Sequence, residues 1–351
     1  MELSGVQLPF TQTPGFTEWA QGLVATRAQS TAQKPEERLF SGSQALAKSG
    51  VTTTFDIEST PGLWEKVDPS ALPLRVLPFP EITGALSGAP PETLLSEILD
   101  RQAKLRTRLG LCGLSPHAPY STSVRLLRQI ASLQPRVLAT MHVAESEDEW
   151  EYLTRGTGPM AEWLAPRIRI PAPEKETPLR HVARTGLLTS RLLVAHANTL
   201  DDRDVRILAE SKATVVHCPR THAYFNRPPF HYRRLRDSAT AIVLGTDSSS
   251  SIGPPSGSKA HELSLTKEMK IFASHFPHVP SREILELVTT GPSRVIPEWK
   301  LGALLPGYRA DMAAFDYSGP TAEAEDYIVR AAPSARSTWI EGRASRLHPS
   351  C

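Results

Sequence analysis

The stretch ATMHVAESEDEW, Ala139 to Trp150, runs apolar into a histidine and then opens into acidic, helix-forming sequence. His142 and Glu145 stand three residues apart at that junction. An imidazole is a metal ligand or a base, and a carboxylate beside it is a proton carrier. Taken singly, each has a plainer meaning. A strand-end histidine is commonly a hydrogen-bonded structural residue, and Glu145 in a first helical turn is favoured by the helix dipole. Glu147, Asp148 and Glu149 carry only that plainer reading. The pair gains weight because His117, His196, His217 and Asp247 each stand at or just past the end of a separate apolar run. Neutral imidazoles with a carboxylate suit zinc when one coordination position stays open for water. Metal binding turns that water into a nucleophile near neutral pH, and a neighbouring carboxylate relays protons to the leaving group.

Other catalytic patterns do poorly. There is no HExxH, GxSxG or P-loop, and no HxE with a PCxxC partner. RGTGPM contains a GxG that neither follows a strand nor completes a dinucleotide fingerprint. Cys218, beside His217 in HCPRTH, reads better as a small buried residue than as a nucleophile, because no base and orienting group accompany it.

The elements that must position these residues alternate. The apolar runs are Gly50 to Ile57, Leu74 to Ile82, Leu111 to Tyr120, Arg136 to Glu145, Arg191 to Leu200, Ala213 to His222 and Ala241 to Ser249. Continuous apolar runs suit parallel strands covered on both faces. Helical spacing recurs between them, as in PETLLSEILDRQAKLRTRLG and in STSVRLLRQIASL, which offers Ser and Thr for an N-cap. A late helix is expected over SREILELVTTGPSRVI, interrupted at its Gly-Pro. KPEERLFSGS and PAPEKETP read as loops, and Ser248 to Lys259 as a mobile loop. Strand–helix alternation gives a parallel sheet, open or closed. Polar residues spread over many strand ends favour a closed barrel, and the glycine-rich first turn of an open nucleotide-binding sheet is absent. Seven strands are legible, one short of eight.

Composition narrows the class. With 40% hydrophobic and 22% charged residues the chain reads as an ordinary globular protein, long enough for one large domain or two modest ones. A net charge of +2, without a long run of one sign, gives no footprint for nucleic acid or a membrane surface. The basic cluster His231 to Asp237 reads as a solvated helix face. Three scattered cysteines argue against a disulfide framework. With no apolar run near membrane length and no signal-peptide pattern, the expected compartment is the cytoplasm.

The ordered set GLSPHAPYSTS, MHVAESEDE, LLVAHANTL, VVHCPRTHAYF and LGTDSSSS resembles the amidohydrolase superfamily, in its chlorohydrolase and aminopurine or cytosine deaminase branch. HCPRTHAYF is similar to aminodeoxyfutalosine deaminase-like members. The resemblance implies a (β/α)8 TIM-type barrel with one divalent metal, zinc or iron, and hydrolytic deamination of an aminated purine- or pyrimidine-type ring by a metal-bound hydroxide. His142 and Asp247 match the family's strand-five and strand-eight metal ligands. Glu145 matches the acid/base that protonates the ring nitrogen, and His196 the histidine that polarises the attacked centre. Asp247 would also take the water proton. His117 matches a substrate-contacting histidine, with Tyr120, His217, His222 and Tyr224 as further pocket-wall candidates. LGALLPGYRADMAAFD resembles the family's return into a small flanking β-sandwich, so the expected division is a barrel over 1–300 and sandwich strands over 301–351.

The His-x-His of the family's first strand has no counterpart here; the first histidine is His117. The chain opens MELSG, similar to the family's segment just after that motif, so the expectation is a barrel lacking its first strand, with unpaired edges and weakened metal affinity. On this reading the chain made alone is unstable or metal-poor. The alternative is a truncated or decayed, catalytically inactive barrel kept as a binding scaffold, and a purely structural module is the third choice. A small-molecule substrate is the expected partner, with homo-oligomer formation left open.

Overall fold

The computed structural model describes residues 1–345 except 5, 7, 9–12, 30–33, 85–87, 134, 168–174 and 254–261. Residues 254–259 of the expected 248–259 loop, and 171–174 of the one at 171–178, lie outside the described residues.

Seven parallel strands follow one another in chain order. They are β1 (Thr53–Glu58), β2 (Arg75–Ile82), β3 (Ser115–Pro116), β4 (Ala139–Val143), β5 (Leu192–His196), β6 (Thr214–His217) and β7 (Ala241–Leu244). A parallel bridge between Leu114 and Ala139 joins the first three strands to the last four. Sequential parallel order with intervening helices is the barrel arrangement rather than the doubly wound one. Among the described residues no strand pairs β7 with β1. The turn at the start of the chain touches both sides of that interval: Glu2 Oε1 accepts from Ser59 N at 2.7 Å, and Leu3 O from Ser249 Oγ at 2.9 Å.

Alternation along the strands sorts two cores. Phe55, Ile57, Leu77, Phe79, Leu193 and Val216 cluster inside, closed below by Ile296 and Leu301. Met141, Val143, Val194, Val215 and Ile242 face the helices and form the larger outer core. Covering both faces is why these strands read as unbroken apolar runs. Each fully buried large side chain contributes about 1.5–3 kcal/mol.

The helix Pro91–Leu109 and the Ser123-capped helix Val124–Ala131 fall where the periodicity puts them. KPEERLFSGS does not form a loop: Pro35–Lys48 is a helix. Proline at its first position fits a helix start, and Leu39, Leu46 and Ala47 recur at helical spacing on its buried side. The expected late helix breaks into Ser281–Glu286 and Thr290–Ser293, but the break falls at residues 287–289 and Gly291-Pro292 lies inside the second piece rather than interrupting the helix. After residue 300 comes an antiparallel sheet of β8 (Met312–Ala314), β9 (Ser337–Ile340) and β10 (Arg343–Ala344), in the order β10-β9-β8. Arg75 Nη1 at 2.6 Å from Asp311 Oδ2 ties that sheet to β2. No helix among the described residues is long and apolar enough to cross a membrane.

Candidate active site

The functional candidates gather at the C-terminal ends of the strands. His142 shares the inward face of β4 with Thr140, and its N–H donates to His117 O at 2.9 Å. His142 Nδ1 lies 3.0 Å from the same carbonyl, which can only accept, so Nδ1 carries the proton. That leaves the Nε2 lone pair free, the tautomer a metal-binding histidine needs. Burial pushes the ring's pKa down, so it stays neutral.

Immediately beyond β4 the chain turns through Ala144, at φ 53°, and brings in Glu145. Burial raises the Glu145 carboxyl to about 7, with His142 opposing and Asp247 adding to the shift. Ser146 then caps the helix Glu147–Arg155, accepting from Glu149 N.

His196 reaches the site against the alternation of its strand. Leu193 points inward, so His196 belongs on the helix-facing side with Val194. Left-handed backbone at His196 (φ 73°) and Ala197 (φ 49°) turns it to the mouth instead. Its ring stacks on His142 at 5.4 Å between centroids, and Nε2 stands 3.6 Å from Glu145 Oε2. Burial holds its pKa near 4. Asp247 is also left-handed, at φ 52°, and its Oδ1 accepts from Ser248 N. Non-glycine residues in this region cost about 1–3 kcal/mol each, and such strain collects at functional sites.

The donor atoms fall into two compact groups, each with its ligand atoms within 4.8 Å of one another: Glu145 with His196 and Asp247, and His142 with His117 and Glu81. The sequence reading assigned His142 and Asp247 to one metal; they stand in different groups. Both groups consist of imidazole and carboxylate, which fits a hard-to-borderline divalent ion.

The pocket-wall candidates separate. Tyr120 is buried edge-on to His117, centroids 5.7 Å apart, in an aromatic cluster with Phe16 and Trp19. Tyr224 packs on Phe225 at the border of that cluster. His222 is buried with Nδ1 3.1 Å from Asn198 Oδ1. His217 is on the helix side of β6 with Val215, stacked on Phe230 at 3.8 Å and 9°. Its inward neighbour Val216 takes the barrel face, so His217 packs the outer layer rather than the pocket wall. Cys218 is buried with its thiol pushed well up, which fits the packing role expected of it.

Several residues escaped the sequence reading. Glu81 follows Leu77 and Phe79 on the inward face of β2, and that alternation was the available signal. Glu149 is fully buried and accepts from Glu145 N at 2.7 Å, more than a helix-dipole charge would do. Asp148 Oδ2 accepts from Thr17 N and Oγ1, tying the helix Phe16–Gln29 to the mouth. Trp19 Nε1 donates to Ser250 O from the same helix. Asn198 Nδ2 donates to Glu145 O at 3.0 Å.

Compared with known proteins, the sequence matches the amidohydrolase family over residues 10–344. The chain belongs to that family. Among relatives of this amidohydrolase, the 5-methylthioadenosine/S-adenosylhomocysteine deaminase of Pyrococcus furiosus is 28% identical over 226 residues, covering 62% of this chain and 48% of that protein. The chain thus spans about half the length of the relatives it matches. The Helicobacter pylori aminofutalosine deaminase, solved with methylthio-coformycin, superposes with TM-score 0.80 and 16% identity over 98% of this chain and 83% of that one. The zinc-bound adenosine deaminase of Xanthomonas campestris gives TM-score 0.76 and 18% identity over 98% and 76%. At these identities the structural likeness is one of fold.

Proposed function

We propose that this amidohydrolase hydrolytically deaminates an aminated purine- or pyrimidine-type ring, an adenosine-like nucleoside first among them. The observation that carries the reading is Glu145, near neutral pKa, held 3.6 Å from His196 in one group with Asp247. The deaminase activities of the named relatives support the same choice.

His142 would hold the metal ion, zinc or iron, and the resemblance adds Asp247. A bound divalent ion acidifies water and so supplies a nucleophile at neutral pH. The chain's own groups handle the protons. Asp247 takes one from the attacking water. Glu145, with its pKa matched to neutrality, passes one to the ring nitrogen beside the attacked carbon. Neutral His196 hydrogen-bonds the oxygen arriving at that carbon. A C–O bond forms, the proton held by Asp247 passes to the departing amino nitrogen, the C–N bond breaks and ammonia leaves, and the new hydroxyl returns a proton to Glu145. Residues 1–300 make the barrel unit of this proposal and 301–351 its flanking sheet.

The test is ammonia release from aminated nucleosides and free bases by the chain supplied with zinc or iron. Turnover is expected, with Glu145→Gln slower by roughly 10²–10⁴-fold. Silence across both substrate sets would leave the inactive scaffold as the better account.

A further inference from the structure

We propose that the helix Phe16–Gln29 is a lid over the barrel mouth, lifting to admit substrate and closing to keep water from the groups beneath. That an aminated ring passes under it rests on the deaminase reading; the opening itself stands on the packing.

The helix reaches segments beyond the ends of five of the seven strands. Arg27 Nη2 donates to Ser59 O at 2.9 Å, after β1, and Phe16, Trp19 and Ala20 share an apolar cluster with Ala118 and Tyr120, after β3. Thr17 N and Oγ1 donate to Asp148 Oδ2 at 3.0 and 2.6 Å, after β4. Trp19 stands edge-on to Phe225, centroids 5.5 Å apart, after β6, and its Nε1 donates to Ser250 O at 2.9 Å, after β7. A single helix with contacts that far round the ring crosses the mouth. Beneath it the side chain of Glu145 is 8% exposed and that of His196 3%. A purine-sized ring does not reach either through so little open surface, so something must move before the chemistry and again after it.

The attachment of this helix is that of a movable element. Among the described residues, every hydrogen bond from it to another element uses a side chain on at least one side. Its buried positions are Phe16, Thr17, Trp19 and Ala20, all within the first turn and a half, and Val24 is 58% exposed. A segment with few buried apolar contacts, fastened by side chains, opens at less cost than global unfolding. Closed, it keeps water from Glu145 and His196, which strengthens the electrostatic interactions between them and a bound ring.

The experiment reads access directly, as the rate at which diethyl pyrocarbonate modifies His196. Trypsin releases His196 in peptide 192–203 and His217 in peptide 213–220, each the one histidine of its peptide, so mass spectrometry follows both. His217 is the control: fully buried against Phe230 in the outer layer, it is uncovered by global unfolding and not by the lid. Thr17→Val and Trp19→Phe each remove one latch and leave an apolar or aromatic side chain in place. Each should speed modification of His196 by roughly 3–10-fold, the worth of about one hydrogen bond, and leave His217 unchanged. Equal acceleration of both histidines would reduce the effect to lost stability, and no acceleration of His196 would show that this helix does not cover it; either overturns the lid. Ammonia release by the unaltered chain separates the two readings. Turnover with His196 insensitive to the latches sinks only the lid. His196 unmasked by the latch variants, with no turnover on any aminated ring, sinks only the deaminase.

Discussion

The backbone N–H of Glu145 donates to Glu149 Oε2 at 2.7 Å, so one buried carboxyl fixes the position of another. Glu149 begins the next turn of chain, and Ser146 Oγ anchors its own N–H at 3.0 Å. The orientation of the candidate acid/base is therefore set by a helix N-terminus, not by the strand before it. Burial raises the Glu149 carboxyl from 4.5 to about 8. A folded-state pKa above the unfolded value favours the protonated fold. The stabilisation is full below about 4.5 and is lost as pH rises towards about 8. Glu149→Gln keeps an oxygen for the Glu145 N–H and cannot ionise. Urea midpoints taken near pH 5 and near pH 8 should converge more closely in the variant than in the unaltered protein. An unchanged difference between the two would show that this carboxyl does not titrate in that window.

Asn198 spans two parts of the mouth, donating to Glu145 O at 3.0 Å and meeting His222 Nδ1 at 3.1 Å. Asn198→Ala leaves a buried carbonyl and a buried ring nitrogen without their partner. The expected loss is about 2–4 kcal/mol of stability. Asn198→Asp should keep only the His222 side, because a carboxylate has no proton for the Glu145 carbonyl. Equilibrium unfolding of the two variants checks this, and equal stability of Asn198→Ala and the parent would deny the bridge its role.

Much of this arrangement is legible in the sequence because strand ends announce themselves. The apolar runs that end on His117, His142, His196, His217 and Asp247 become β3 to β7 or the turns just after them, and their order implied a barrel. What the runs do not encode is which face each polar residue takes. Strict alternation predicts His142 inward and His217 outward, and the structure agrees with both. It fails for His196, which the left-handed backbone at His196 and Ala197 reverses. A local twist of that kind has no glycine to mark it. Glu81 was legible from Leu77-x-Phe79-x-Glu81 but lacked the histidine that draws attention to a site. Pro35–Lys48 was hidden by its Lys-Pro opening and its Ser-Gly-Ser segment, where packing of Leu39 and Leu46 overrides weak helix propensity.

Gly113 lets the inner core close beside β3. A Cβ there would come within 2.1 Å of Phe79 Cε1, and Phe79 is fully buried in the inner cluster beneath Glu81. Gly113→Ala should therefore cost about 1–3 kcal/mol through overpacking. A denaturation curve reads the effect. A neutral effect on stability would mean that the Phe79 ring moves aside freely.

Arg227 bears on the chemistry without belonging to either donor group. Its guanidinium lies over Phe225 at 4.9 Å and Phe16 at 5.4 Å, and Nε and Nη2 are buried without a hydrogen-bond partner among the described residues. Burial dominates the Glu145 carboxyl and raises it, while the Arg227 charge works the other way and favours the ionised form. Removing that charge in Arg227→Met keeps the aromatic packing and shifts Glu145 further up. The limb of the pH–rate profile that reports Glu145 should move to higher pH, with rate at the plateau less affected than its position. Glu145→Gln should abolish that limb. If Arg227→Met leaves the limb in place while Glu145→Gln removes it, Arg227 is a packing residue of the aromatic cluster and its charge does not reach the site.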